Sequence, residues 1–139
     1  MKYVCIALAI LLALTLLCVG NLWVLEKSAA PIREAIRDVR KAIPDVQKTV
    51  SGAREAAPEE IAAALEALSR AQAAWNRREG YFYAVIPHVS TAGIPQTLAR
   101  CRGYLERGDA VSALSELAAL EEQLDTLLSM ERLSLANLL

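Results

Sequence analysis

Residues Tyr3–Leu25 read YVCIALAILLALTLLCVGNLWVL, a run without a charge, bracketed by Lys2 on one side and Glu26-Lys27 on the other. At about 1.5 Å rise per residue the run makes roughly 34 Å of helix, enough to cross a hydrocarbon core of about 30 Å with modest tilt. Thirteen of its residues are Leu, Ile or Val, each favourable by about 0.3–0.6 kcal/mol near the centre of an inserting helix. Thr15 can bond to the backbone one turn back. Asn21, Trp23 and Tyr3 fall towards the ends, where amphipathic side chains prefer the headgroup level. The competing reading is a cleaved leader, because Cys18-Val19-Gly20 puts small residues just before Asn21. The apolar run is longer than the ~7–15-residue core of such a leader and continues through Leu22-Trp23-Val24-Leu25. The expectation is a retained transmembrane anchor over residues 1–27 and a helical domain over 28–139.

About 110 residues remain behind the anchor, one small domain with a modest core. One Phe and two Trp make that core aliphatic. A formal net charge of −1 argues against a nucleic-acid partner. Cys5 and Cys18 lie in the span and Cys101 stands alone in the domain, which excludes a disulfide framework within one chain and leaves the redox compartment open. Charge is unevenly spread: Lys27–Arg54 holds seven Lys or Arg against Glu34, Asp38 and Asp45, and Glu106–Leu139 holds seven acids against Arg107 and Arg132. An early basic helix beside a late acidic one accounts for this; a basic segment lying on anionic headgroups is the alternative.

Behind the span, Ser28-Ala29-Ala30-Pro31 reads as a helix restart or a kink, with Ser28 as cap and Pro31 in a first turn. Ile32, Ile36, Val39, Ile43, Val46 and Val50 then form one apolar seam, interrupted by Pro44, where the helix kinks or begins again. Pro58-Glu59-Glu60 opens the next helix by putting a proline and two acids in its first turn. Its large seam residues are Ile61, Leu65, Leu68, Gln72 and Trp75, and its alanines supply helix propensity and allow close approach. Tyr81–Ile86 is expected to continue that helix up to Pro87, since no second strand candidate exists to pair with it. After a loop over residues 88–93, Ile94, Leu98, Cys101 and Leu105 mark a short helix. Gly108-Asp109 ends it, and Asp109 caps a helix with Leu114, Leu117, Leu120, Leu124 and Leu127 on one face. The apolar tail, with Leu133, Leu135 and Leu138, is expected to dock on the domain or on a partner.

Tyr104–Leu114, YLERGDAVSAL, resembles the turn of a tetratricopeptide hairpin, where Gly-Asp joins two antiparallel helices. A single such hairpin implies shared geometry, since arrays of that kind need about three stacked units. A wider resemblance rests on the layout of nearly the whole chain: the anchor followed by Leu25-Glu26-Lys27-Ser28, then Val39–Ile43, Trp75, the aromatic run before His88, the Tyr104-Leu105-Glu106 hairpin with Ala113–Leu117, and Leu133–Leu138. In this the chain is similar to small bacterial membrane proteins carrying domain of unknown function 4363. That resemblance implies a single-span protein with its domain outside the cytoplasmic membrane, and it implies no activity.

Catalytic signatures are missing from the sequence. His88 is the sole histidine, so no His-based zinc set, di-iron pair or Ser-His triad can be assembled within one chain. Cys101 sits on an apolar face and reads as an inert core thiol. Glu121, Glu122 and Asp125 read as a solvated helix face, and the six glycines form no phosphate loop. Trp75, Tyr81, Phe82, Tyr83, His88 and Tyr104 gather nearly every aromatic of the domain and are the candidate interaction or pocket residues.

The sequence therefore predicts an all-α protein: an N-terminal transmembrane helix, then a small antiparallel bundle of two hairpins with about four helices. The expected role is a non-enzymatic, membrane-anchored interaction or accessory subunit of the bacterial envelope, without cofactor or metal. Its expected partners are the bilayer, through residues 3–25, and another membrane or envelope protein or a second copy. The alternative is an extracytoplasmic small-ligand-binding or sensing domain. Orientation divides the signals. Lys27, Arg33, Arg37, Arg40 and Lys41 after the span favour a cytoplasmic domain by the positive-inside rule, whereas the resemblance and the leader-like amino terminus favour the outside. The outside is the expectation carried forward.

Overall fold

The computed structural model describes residues 2–43, 56–86 and 91–136. They form four helices: α1 (Lys2–Ala42), α2 (Pro58–Val85), α3 (Gly93–Glu106) and α4 (Ala110–Ala136). Each helix packs on the next in chain order and α4 returns to α1, so the bundle consists of two antiparallel hairpins, α1–α2 and α3–α4. Pro44 and the seam positions Val46 and Val50 lie outside the described residues.

Of the restart or kink expected at Ser28–Pro31, the restart does not occur. α1 runs unbroken through it, with Pro31 inside the helix. Proline removes one backbone donor and costs about 3 kcal/mol in a helix interior. Pro31 faces solvent, while Ala29 and Ile32 on either side are fully buried, so flanking packing holds the helix through the defect. Ser28 is no cap; it is fully buried and accepts a 3.3 Å hydrogen bond from Arg78 Nη1 of α2.

The seam of α1 is as the spacing predicts, with Ile32, Ile36, Val39 and Ile43 each at most 3% exposed, and it extends back to Leu25. On α2 the buried face differs from the expectation. Ala64, Ala67, Ala71 and Ala74 join Leu68 and Trp75 in the core, while Ile61, Leu65 and Gln72 are half-buried. Small side chains let the two backbones approach, so the alanines serve packing as well as propensity. Ala57 has no side-chain acceptor; Glu60 Oε2 instead accepts from the Ala57 amide at 2.8 Å, which is half of a capping box. The far end of α2 stops at Val85, as Pro87 requires.

In the second hairpin Ile94, Leu98, Cys101 and Leu105 are all buried, as are Leu117, Leu120, Leu124 and Leu127; Leu114 is half-buried. Gly108 takes φ +76°, a left-handed value that side chains disfavour. Asp109 N donates to Tyr104 O and Gly108 N to Leu105 O, both at 2.9 Å, the two bonds of a Schellman ending. Asp109 then caps α4 through Ser112 N at 3.0 Å.

The uneven charge resolves into contacts between the first and last helices. Arg33 pairs with Asp125, and Arg40 with Glu121 at 2.7 Å. These pairs mark the antiparallel register of α4 on α1.

Candidate functional site

Two parts of α1 meet different surroundings. Val4, Ile6, Leu8, Leu12, Leu16 and Leu17 are all more than half exposed, and no residue of the most apolar 18-residue window is buried in the bundle. The described residues thus include one helix long and apolar enough to cross a membrane, and its apolar surface is left free. Thr15, whose Oγ1 donates to Leu11 O at 2.9 Å, satisfies its hydroxyl within the helix, which makes it tolerable in lipid.

At the junction, packing begins gradually. Thr15, Cys18, Asn21 and Leu22 are partly covered, spaced as one face of the helix, and Leu25 is fully buried. The end of α2 reaches this face, where its Tyr81 hydroxyl donates to Asn21 Oδ1 at 2.7 Å. Lys27 Nζ stands 4.8 Å over the Trp23 ring.

The aromatic candidates separate into two sites. Trp75 and Phe82, seven positions apart on one face of α2, stack with centroids 5.0 Å apart and planes 5° from parallel. Tyr83 meets Trp75 edge-on at 6.4 Å, and Tyr81 meets Phe82 at 6.2 Å. Trp75 and Phe82 have no exposed surface, so this group is core with two tyrosines at its rim. The Tyr83 hydroxyl bonds the Glu79 carboxylate. Trp75 Nε1 is buried with no hydrogen-bond partner among the described residues. Tyr104 does not belong to the group. Arg102 of α3 reaches Ser69 of α2 at 2.9 Å, and that register puts Tyr104 roughly 12 Å along the bundle from Trp75, where it packs under Arg107 at 5.0 Å. His88 lies outside the described residues.

Cys101 is fully buried. Burial first, then the Glu116 charge, pushes its thiol up to about 11, which keeps it in the unreactive protonated form. Among the described residues no group of three or more His, Cys, Asp or Glu could hold a metal ion. Sequence reasoning missed an open groove of about 570 Å³ between α1 and α2, lined by Glu34, Asp38, Glu66, Arg70 and Arg77 beside Pro31. Its sequence signal was the set of exposed alanines and charges on the outer face of α2.

A helical bundle continuous with an apolar N-terminal helix is the class these features define. The chain belongs to the family described as Domain of unknown function (DUF4363), whose model matches residues 24–138. The match begins at Val24, one residue before Leu25, the first fully buried residue of α1. Searches of curated proteins and of solved structures return no match to the chain.

Proposed function

We propose that the protein is a single-span, membrane-anchored accessory subunit of the bacterial cell envelope that acts by binding another membrane protein and carries out no chemistry itself. The observation that carries this reading is the continuity of α1 across Ser28–Pro31. A bundle joined to its anchor by unbroken helix is presented at a fixed height and rotation, and confinement to two dimensions raises its effective concentration beside a membrane partner. The outer face of α2, with small exposed Ala62, Ala63 and Ala73 between Glu66, Arg70 and Arg77, is the docking face of this reading. A photo-crosslinker at Ala63 or Ala73 in native membranes is expected to give one discrete adduct, to a membrane protein or to a second copy. A strictly monomeric chain without adducts from either position would sink the proposal.

The domain is assigned to the outer side of the cytoplasmic membrane. Labelling of intact cells with an impermeant maleimide at Ala73→Cys tests this, with buried Cys101 silent. Protection relieved by opening the cells would reverse the orientation and support the charge count after the span.

The small-ligand reading has the α1–α2 groove in its favour and the aromatic group against it, since Trp75 and Phe82 are closed on each other. A thermal-shift screen with Arg70→Ala as control separates the two: ligands that stabilise the parent and not the variant would favour a ligand site.

A further inference from the structure

α3 has 14 residues, while α2 has 28 and α4 has 27. α3 is therefore roughly 20 Å shorter than its neighbours. Gly93, its first residue, lies beside the Gln123 side chain, so α4 continues well past it. Among the described residues the bundle has four helices at the end far from the span and three at the near end: the junction of α1, the last turns of α2 and the last turns of α4.

Charges stop at nearly one level on all three. On α1 the last are Glu26 and Lys27. On α2 they are Arg78 and Glu79, and the bonds Arg78–Ser28 and Tyr81–Asn21 put these within about one helical turn of Glu26-Lys27. In the sequence of α4 the last charged positions are 131 and 132, and the register of Arg33–Asp125 and Arg40–Glu121 brings that turn of helix to the same level, again within about a turn. Beyond this belt, on the side of the span, Gly80–Ile86 and Leu133–Ala136 carry no charge. The α2 end leaves Ala84 exposed, and its Tyr81 and Tyr83 hydroxyls bond Asn21 and Glu79, as interfacial tyrosines do.

We infer that the bilayer surface lies at this charged belt, and that the ends of α2 and α4 enter the headgroup layer beside the span. The protein thereby holds the membrane with a three-helix collar in addition to its single crossing. Continuity with the span fixes the occupant as lipid. Seven residues beyond the belt on α2 reach about 10 Å, within the depth that interfacial helices occupy. The inference rests on the anchoring reading above.

Its test uses the full chain in vesicles of phosphatidylethanolamine and phosphatidylglycerol, with Cys5→Ala and Cys18→Ala and a nitroxide at one of four exposed positions: Leu14→Cys, Ala84→Cys, Gly80→Cys or Ala73→Cys. A Cβ at Gly80 meets nothing within 4 Å, so that variant folds even if Ala84→Cys does not. The expected result is Leu14 and Ala84 relaxed by oxygen and shielded from a water-soluble nickel chelate, Gly80 intermediate, and Ala73 open to the chelate. Ala84 as open as Ala73, with Leu14 still in lipid, overturns the collar and leaves the anchor intact. Ala84 shielded from both reagents also overturns it, because protein would then cover that face. Leu14 open to the chelate would overturn the anchoring reading itself.

Discussion

From Val4 to Val24 the Leu, Ile and Val side chains of α1, the half-buried Leu22 apart, are between 37% exposed, at Val24, and 72%, at Leu17; from Leu25 to Ile43 they are at most 3% exposed. The residue types are alike, and only their arrangement differs. In the first half apolar residues surround the helix, and in the second they keep to one stripe with Arg33, Arg37, Arg40 and Lys41 outside it. A helix apolar on all sides needs an apolar surround, and one with a stripe needs a protein partner on that side alone. One continuous helix can meet both needs if the change of pattern coincides with a change of medium, and here the pattern changes at Glu26-Lys27.

The sharpest way to break this comparison is to truncate one residue in each half. Ile36→Ala is expected to destabilise the bundle by about 2–5 kcal/mol, and Leu12→Ala to leave its unfolding unchanged, both read by denaturant melts in detergent micelles. Equal losses would mean that residues 3–24 pack on protein.

Pro31 marks the boundary, so replacing it comes next in size. Pro31→Ala restores the missing donor to the Lys27 carbonyl on an exposed face and is expected to raise bundle stability by about 1–3 kcal/mol. A loss of stability would mean that the proline is fitted to its place, for example by the groove it lines.

These two effects also mark what the sequence could and could not tell. The long apolar helix was legible because twenty-three uncharged positions in a row leave it no polar face, and the seam of α1, the face of α3 and the Gly108-Asp109 turn each follow from local spacing. The passage through Pro31 was not legible, because a proline's effect depends on whether packing on both sides holds the helix. The buried face of α2 was half legible: Ala64, Ala67, Ala71 and Ala74 look the same to sequence whether they supply propensity or close contact. Tyr104 was grouped with Trp75 because both are aromatic, and separating them required the register between helices, which no local pattern carries. The pairing of early basic with late acidic charge was legible from composition alone, yet not its partners.

A smaller effect concerns the solvent face of the second half of α1. Glu121→Gln is expected to cost less than about 1 kcal/mol, with the difference shrinking in high salt, because the Arg40–Glu121 pair is solvent-accessible. A larger, salt-independent loss would mean that this pair fixes the register of α4. The smallest effect lies at the far end of the bundle. Hydrogen bonds from the Ser112 side chain and backbone hold the Asp109 carboxyl below its ordinary value of 3.8. Its folded pKa being depressed, its contribution is present above that value and fades as pH falls through the folded one. Asp109→Ala should therefore lower the melting temperature slightly at neutral pH, and by progressively less as pH falls below 3.8.

The continuity of α1 is the claim on which the anchor, the collar and the fixed presentation of the bundle all depend, and a distance measures it most directly. Nitroxides at Leu14→Cys and Arg37→Cys, both exposed and one in each half, are separated by 23 residues. In an unbroken helix they should give a single narrow distribution near 35 Å by pulsed dipolar spectroscopy in vesicles. A broad distribution, or one centred well short of that value, would contradict the account and restore the break at Ser28–Pro31 that the sequence suggests.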